Sequence, residues 1–223
     1  MAKHYPMIAV EGQDGTGKTT LRKGLFRLFE GLYGVTPLAV LTTNYLNAAV
    51  AEDLVDGKYR PAAANRERYL AALAADKQAT AARLIIPSLP VRPVIADRWL
   101  LSELGFFAVK HDQPPKDTYS TLARSIGVVP DLTLVLDISA KASMERAASR
   151  PGDATRPDWD VLEVQNRVRE VYRTVTDSPA AFPALGPLAR IDAAQDRATV
   201  LRDAWRALDE HGLLADLPQE GSR

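Results

Sequence analysis

Residues 7–20 read MIAVEGQDGTGKTT, a short apolar run that breaks into glycines and then into a basic and a hydroxyl residue. Gly12 to Thr20, GQDGTGKTT, matches G-x-x-x-x-G-K-[ST], with a buried-strand pattern before it and an amphipathic helix pattern after it. The glycines allow backbone angles closed to other residues, so successive N–H groups can turn inward around an anion. The helix that follows presents its positive end to the same charge. Strand, glycine turn and helix in that order predict a phosphate cradle on an α/β fold.

On either side of this stretch, apolar runs and helical patterns alternate along the chain, which predicts a parallel sheet with helices on both faces. Strands are expected at Met7 to Val10, Leu38 to Leu41, Val91 to Ala96, Leu132 to Ile138 and Ala189 to Ile191. Leu21, Leu25, Leu28, Phe29 and Leu32 mark the first crossover helix, closed by Gly34. Further helices are expected over Asn65 to Leu84, Leu100 to Val109, Lys116 to Ile126, Ala140 to Ala148, about Asp158 to Tyr172, and about Arg197 to His211. With 223 residues, the chain reads as one domain over 1–223, ending in a frayed tail from about 214. Ser149 to Asp158, SRPGDATRPD, interrupts two helices and reads as a mobile lid.

Composition narrows the possibilities. Lys plus Arg and Asp plus Glu number 28 each, so no basic excess is present to neutralise a nucleic-acid backbone. No Cys is present, which excludes disulfides and thiolate chemistry and fits a reducing compartment. The apolar run at the N-terminus is too short for a signal peptide or a membrane span, so a cytoplasmic location is expected.

The cradle implies roles for its neighbours. ATP phosphates are expected on Gly12, Gln13, Asp14, Gly15, Thr16, Gly17, Lys18, Thr19 and Thr20, with Lys18 on the β- and γ-phosphates and Thr19 on Mg2+. Asp97 and Arg98 stand at the end of the third strand, where open α/β sheets bind ligands. Asp97 is expected to hold the metal or its waters, and Arg98 to clamp a phosphate. Arg150 and Arg156 in the lid segment fit charge stabilisation during phosphoryl transfer, though spacing alone fits two solvated arginines equally well.

Taken together, the segments AVEGQDGTGKTTL, ADRWLLSELGFF, PDLTLVLDISAKASMERAASR and TRPDWDVLEVQNRVREVY resemble, in that order, the thymidylate kinase family of nucleoside monophosphate kinases. The resemblance runs from about Met7 to Ala207. It implies an ATP- and Mg2+-dependent kinase with dTMP or a related pyrimidine nucleotide, modified ones included, as acceptor, and a homodimer. Acceptor contacts are expected at Asp14, Asn44, Tyr69, Leu73, Lys77, Arg98, Trp99, Ser102 and Phe106, with Trp99 and Tyr69 as the nearby aromatics to replace a lost stacking platform. The departures cluster on that side. LTTNYLN replaces a proline- and arginine-bearing segment, Leu73 and Lys77 stand where the family has Phe and Arg, and Trp99 and Phe106 replace two tyrosines. The residues therefore imply an intact ATP side and a rewritten acceptor side, on which dTMP is a poor acceptor. Two alternatives stand beside this reading: a kinase for a nucleoside or other hydroxyl, and a nucleotide-binding regulator without transfer activity.

Overall fold

The computed structural model describes residues 4–56, 63–124, 126–149, 156 and 158–214. Five strands form one parallel sheet: β1 (Met7–Gly12), β2 (Leu38–Leu41), β3 (Val94–Asp97), β4 (Leu132–Asp137) and β5 (Leu188–Asp192), in the order β2-β3-β1-β4-β5. Register pairs Val10 with Asp97 on one side and with Leu134 on the other, so the glycine loop and the Asp97-Arg98 pair leave the sheet together at its carboxyl end.

Side-chain alternation assigns each face its core. Met7 and Ala9 join Val40, Val94, Ala96 and Val135 in one cluster, while Ile8 and Val10 join Ile95, Leu132, Leu134 and Leu136 in the other. The second face is covered by α1 (Lys18–Tyr33) and α9 (Arg197–Glu210). Leu21, Leu25 and Phe29 recur one turn apart on α1 and are buried, each contributing roughly 1.5–3 kcal/mol. Gly34 ends α1 at φ 66, its N–H on Glu30 O. The first face carries α2 (Ala48–Asp56), α3 (Arg66–Thr80), α5 (Leu100–His111), α6 (Pro115–Ala123) and α8 (Leu162–Asp177). The remaining α-helices are α4 (Ile86–Ser88) and α7 (Ala140–Ala148).

Several boundaries differ from expectation for local reasons. Val91 is exposed, in a turn where Val91 and Arg92 N–H both reach Ser88 O, and Pro93 has no N–H to donate, so β3 begins only at Val94. The helix expected over Asn65 to Leu84 continues through a π turn at Ala81–Ile85 into α4. The start expected near Asp158 shifts to Leu162 because Trp159 and Asp160 N–H turn back onto Arg156 O. Helix α2 was absent from the sequence reading, although Asn47 Oδ1 accepts from Ala49 N–H at its start and Leu54 is buried in the core. Within the expected lid, residues 150–155 and 157 lie outside the described residues, as does the tail beyond Leu214.

Candidate active site

β1 delivers the chain at Gly12 into a turn that enters α1 at Lys18. Gly15 has φ 83, and a Cβ there would lie 1.9 Å from Ser143 O of α7, so no other residue fits. Gly17 has φ 98, meets nothing within 4 Å of a built Cβ, and precedes a helix whose first turn has no side-chain cap and no acidic residue. An uncapped helix start facing open space fits an anion. Thr19 and Thr20 are exposed beside it. Gln13 turns away: its Nε2 donates to Gln165 O at 2.5 Å, tying the loop to α8. Thr16 Oγ1 donates to Gln13 O at 2.8 Å and braces the turn.

Lys18 is buried, with Nζ 2.5 Å from Gln13 O and 4.0 Å from Asp14 Oδ1. Burial, reinforced by the charge of Arg98, brings its ammonium down to about 7, against the pull of Asp14, Asp97 and Glu11. Next to the loop lies a large open cleft lined by Gly15, Thr16, Gly17, Thr20, Arg27, Arg146 and the segment from Ala193 to Leu201. Arg146 Nη1 donates to Ala193 O at 2.6 Å. Neither Arg146 nor that segment was singled out by sequence, because α7 and the loop after β5 meet only in three dimensions.

Arg98 adopts φ 68, left-handed for a non-glycine residue, at a cost of about 1 kcal/mol. Its Nη1 donates to Gly12 O and to Ser102 Oγ, both at 3.0 Å, and its Nη2 pairs with Asp14 Oδ1. Arg156 reaches the other oxygen of the same carboxylate, Nη2 to Asp14 Oδ2 at 2.6 Å, and is braced by Asp160 at 2.8 Å. Burial alone would raise the Asp14 carboxyl, but Arg98, Lys18 and Arg156 outweigh it and hold the group well below the usual carboxylate range. Asp97 Oδ2 is 3.0 Å from Arg22 Nε, so it is paired with α1. Arg150 lies outside the described residues.

Beneath Arg98 sits Glu11, fully buried in β1, to which the sequence assigned no role. Its carboxylate accepts from Trp99 N–H at 2.8 Å, from Leu101 N–H at 3.0 Å and from Ser102 Oγ, and so caps α5 from the neighbouring strand. Burial raises its pKa, against the hydrogen bonds from Ser102 and Trp99.

Beyond Asp14 opens a cavity of about 220 Å³, lined by Asp14, Thr42, Thr43, Tyr69, Leu73, Arg98, Ser102, Glu103, Phe106, Lys110, Arg156 and Trp159. Six residues expected on the acceptor side are there: Asp14, Tyr69, Leu73, Arg98, Ser102 and Phe106. Asn44, Lys77 and Trp99 are not among the lining residues. Asn44 is spent on the loop after β2, its N–H on Asp76 Oδ2 at 2.9 Å and its Nδ2 on Leu41 O at 3.0 Å. Lys77 and Trp99 are buried behind the wall, with Lys77 Nζ 5.2 Å from the Trp99 ring centroid, 3.0 Å from Thr42 O and 3.1 Å from Glu103 Oε1. The aromatic that sequence missed is Trp159, whose ring centroid lies 5.7 Å from that of Phe106.

Could the residues present hold ATP and a divalent cation? Among the described residues no group of three or more His, Asp or Glu forms a metal cluster. Magnesium in phosphate sites takes only one or two protein oxygens and fills its sphere with water and phosphate. The exposed Thr19 hydroxyl, the Asp97 carboxylate and the uncapped start of α1 suit that demand. Fold and site together define a P-loop nucleotide kinase.

The comparisons give the family. The model described as Thymidylate kinase matches residues 10–182. A probable thymidylate kinase of Methanocorpusculum labreanum is 32% identical over 205 residues, covering 87% of this chain and 93% of that protein. One from Thermococcus kodakarensis is 32% identical over 177 residues, 74% of this chain and 81% of its own. The thymidylate kinase of Acholeplasma laidlawii is 27% identical over 172 residues, 76% and 84%. The chain belongs to the thymidylate kinase family of nucleoside monophosphate kinases.

Proposed function

We propose that this protein transfers the γ-phosphoryl group of ATP, with Mg2+, to the phosphate of dTMP or a related pyrimidine nucleotide held in the Tyr69-Phe106-Trp159 cavity. The observation that carries this reading is Asp14: a P-loop carboxylate gripped by Arg98 from the carboxyl end of β3 and by Arg156 from beyond α7, and lining the cavity. An incoming phosphate offers those guanidiniums a stronger anion, and both then face the transferring group.

In this scheme the N–H groups of Gly15 to Thr20 and Lys18 hold the donor phosphates. Lys18, Arg98 and Arg156 neutralise the charge that spreads over the equatorial oxygens. Thr19, and Asp97 through water, would hold Mg2+, which when bound neutralises and orients the β- and γ-phosphates. A phosphate acceptor is already anionic and needs no general base. Asp14 suits that: tied to Arg98 and Arg156, its carboxyl is held well below the usual carboxylate range and is a poor proton acceptor. This disfavours a nucleoside hydroxyl as acceptor.

One kinase domain over 1–223, homodimeric, cytoplasmic and without nucleic-acid partners, completes the proposal. Family resemblance supports the dimer, the equal count of 28 acidic and 28 basic residues supports the absence of nucleic acid, and the location follows from the supply of ATP. No helix among the described residues is long and apolar enough to cross a membrane. Purified protein with ATP and Mg2+ should release ADP when given a nucleoside monophosphate and not when given the nucleoside. ADP release with nucleosides alone would move the assignment to a hydroxyl kinase.

A further inference from the structure

Resting on the kinase reading above, we propose that Glu103 and Lys77 set the base preference of the cavity, favouring a pyrimidine with an amino group at C4 over one with a carbonyl there. The cavity has two chemical ends. Asp14, Arg98 and Arg156 make the charged end, while Tyr69, Leu73, Phe106 and Trp159 supply flat and apolar surface for a ring. On α5, Ser102 is turned to Arg98 and the charged end, whereas Glu103 is turned to Lys77 on α3. Tyr69, Leu73 and Lys77 lie one turn apart on α3, so Glu103 meets the ring-binding stripe.

Counting donors shows what that end offers a ligand. Lys77 is fully buried, with two of its three N–H groups on Thr42 O and Glu103 Oε1 and its charge over the Trp99 ring. Thr42 gives its hydroxyl hydrogen to the same Oε1, at 3.0 Å. Glu103 Oε2 has no hydrogen-bond partner among the described residues, and Glu103 lines the cavity. Within the Lys77, Thr42 and Glu103 group the free atom is therefore a carboxylate oxygen, which only accepts. Thr43 lines the same cavity, and its hydroxyl can serve as donor or acceptor, so it does not discriminate.

An exocyclic amino group donates to such an oxygen, the contact carboxylates make with the C4 amino group of cytosine. A C4 carbonyl instead places lone pair against lone pair. Thymine's N3–H can donate to such an oxygen, but the carbonyls on either side of it repel the carboxylate, so the contact is weaker than the one the exocyclic amino group makes. A site built to hydrogen-bond one group rejects the analogue lacking it far more strongly than an apolar pocket rejects a methyl.

The test compares 5-methyl-dCMP with dTMP, which share sugar, phosphate and methyl group and differ at the C4 edge. Wild-type protein should show kcat/KM at least ten-fold higher for 5-methyl-dCMP. Glu103→Gln keeps a carbonyl oxygen for Lys77 and Thr42 and puts an amide N–H2 where Oε2 was, so the ratio should fall by ten-fold or more toward dTMP. If that variant does not fold, the wild-type ratio alone decides. Equal or better use of dTMP by wild type, or a folded Glu103→Gln with an unchanged ratio, overturns the inference and leaves the kinase reading standing. Failure of every nucleoside monophosphate tested to stimulate ADP release removes both.

Discussion

Lys18 is surrounded by protein, and its ammonium, brought down to about 7 chiefly by burial, titrates in the neutral range before nucleotide binds. Triphosphate charge beside it favours the protonated form, so the sign of the coupling is fixed. Above about pH 7 the free protein holds Lys18 largely neutral and ATP binding takes up a proton; below that pH the proton is already present. Calorimetric titration at pH 8 in buffers of different ionisation enthalpy should show close to one proton taken up, falling toward zero at pH 6, and Lys18→Ala should abolish the difference. The same variant should lose at least a thousand-fold in kcat while unfolding at the wild-type denaturant midpoint within experimental error. This residue was legible in the sequence because its partners lie within one turn of chain. Lys77 was not: aligned with a base-reading arginine it was expected in the cavity, but its partner Glu103 sits on another helix, and no spacing rule shows that the two close on each other behind the wall.

At the scale of elements, the start of α5 depends on a residue of β1. Trp99 and Leu101 N–H have Glu11 as their acceptor, and the same carboxylate holds Ser102, which in turn accepts from Arg98 and from Tyr172 of α8. Glu11→Ala leaves two buried donors without acceptors and should cost roughly 3 kcal/mol in urea unfolding. In the folded fraction kcat should fall because Arg98 loses its seat, with ATP affinity changed less. Equal stability of variant and wild type would show that water replaces the carboxylate. The strands were readable because a strand buried on both faces is a short apolar run between breakers, and β2 and α7 fall on their expected bounds. What failed were boundaries set by tertiary hydrogen bonds: the delayed start of α8 depends on Arg156 and Asp160 folding back on each other, which composition does not encode.

Across the whole molecule, the carboxyl ends of β1 and β3 and the Arg156 segment bring Lys18, Arg98 and Arg156 onto the Asp14 carboxylate, while α5 and α8 hold Arg98 and Gln13 through Ser102 and Gln165. Gln13 joins the P-loop to α8 through Gln165, so the element that carries Tyr172 also braces the phosphate cradle. Because Arg156 enters this arrangement from beyond α7 and is exposed on one side, Arg156→Ala should lower kcat at least a hundred-fold while changing ATP affinity less than ten-fold. A pure rise in acceptor KM would assign Arg156 to the acceptor phosphate alone. The most direct test of the central claim follows the phosphoryl group itself. Protein is supplied with γ-labelled ATP, Mg2+ and a pyrimidine nucleoside monophosphate, and the products are separated and the label located. The account predicts ADP and a nucleoside diphosphate labelled at its β-phosphate, with no transfer by Lys18→Ala. Label appearing only as inorganic phosphate, or only on the hydroxyl of an added nucleoside, would contradict it.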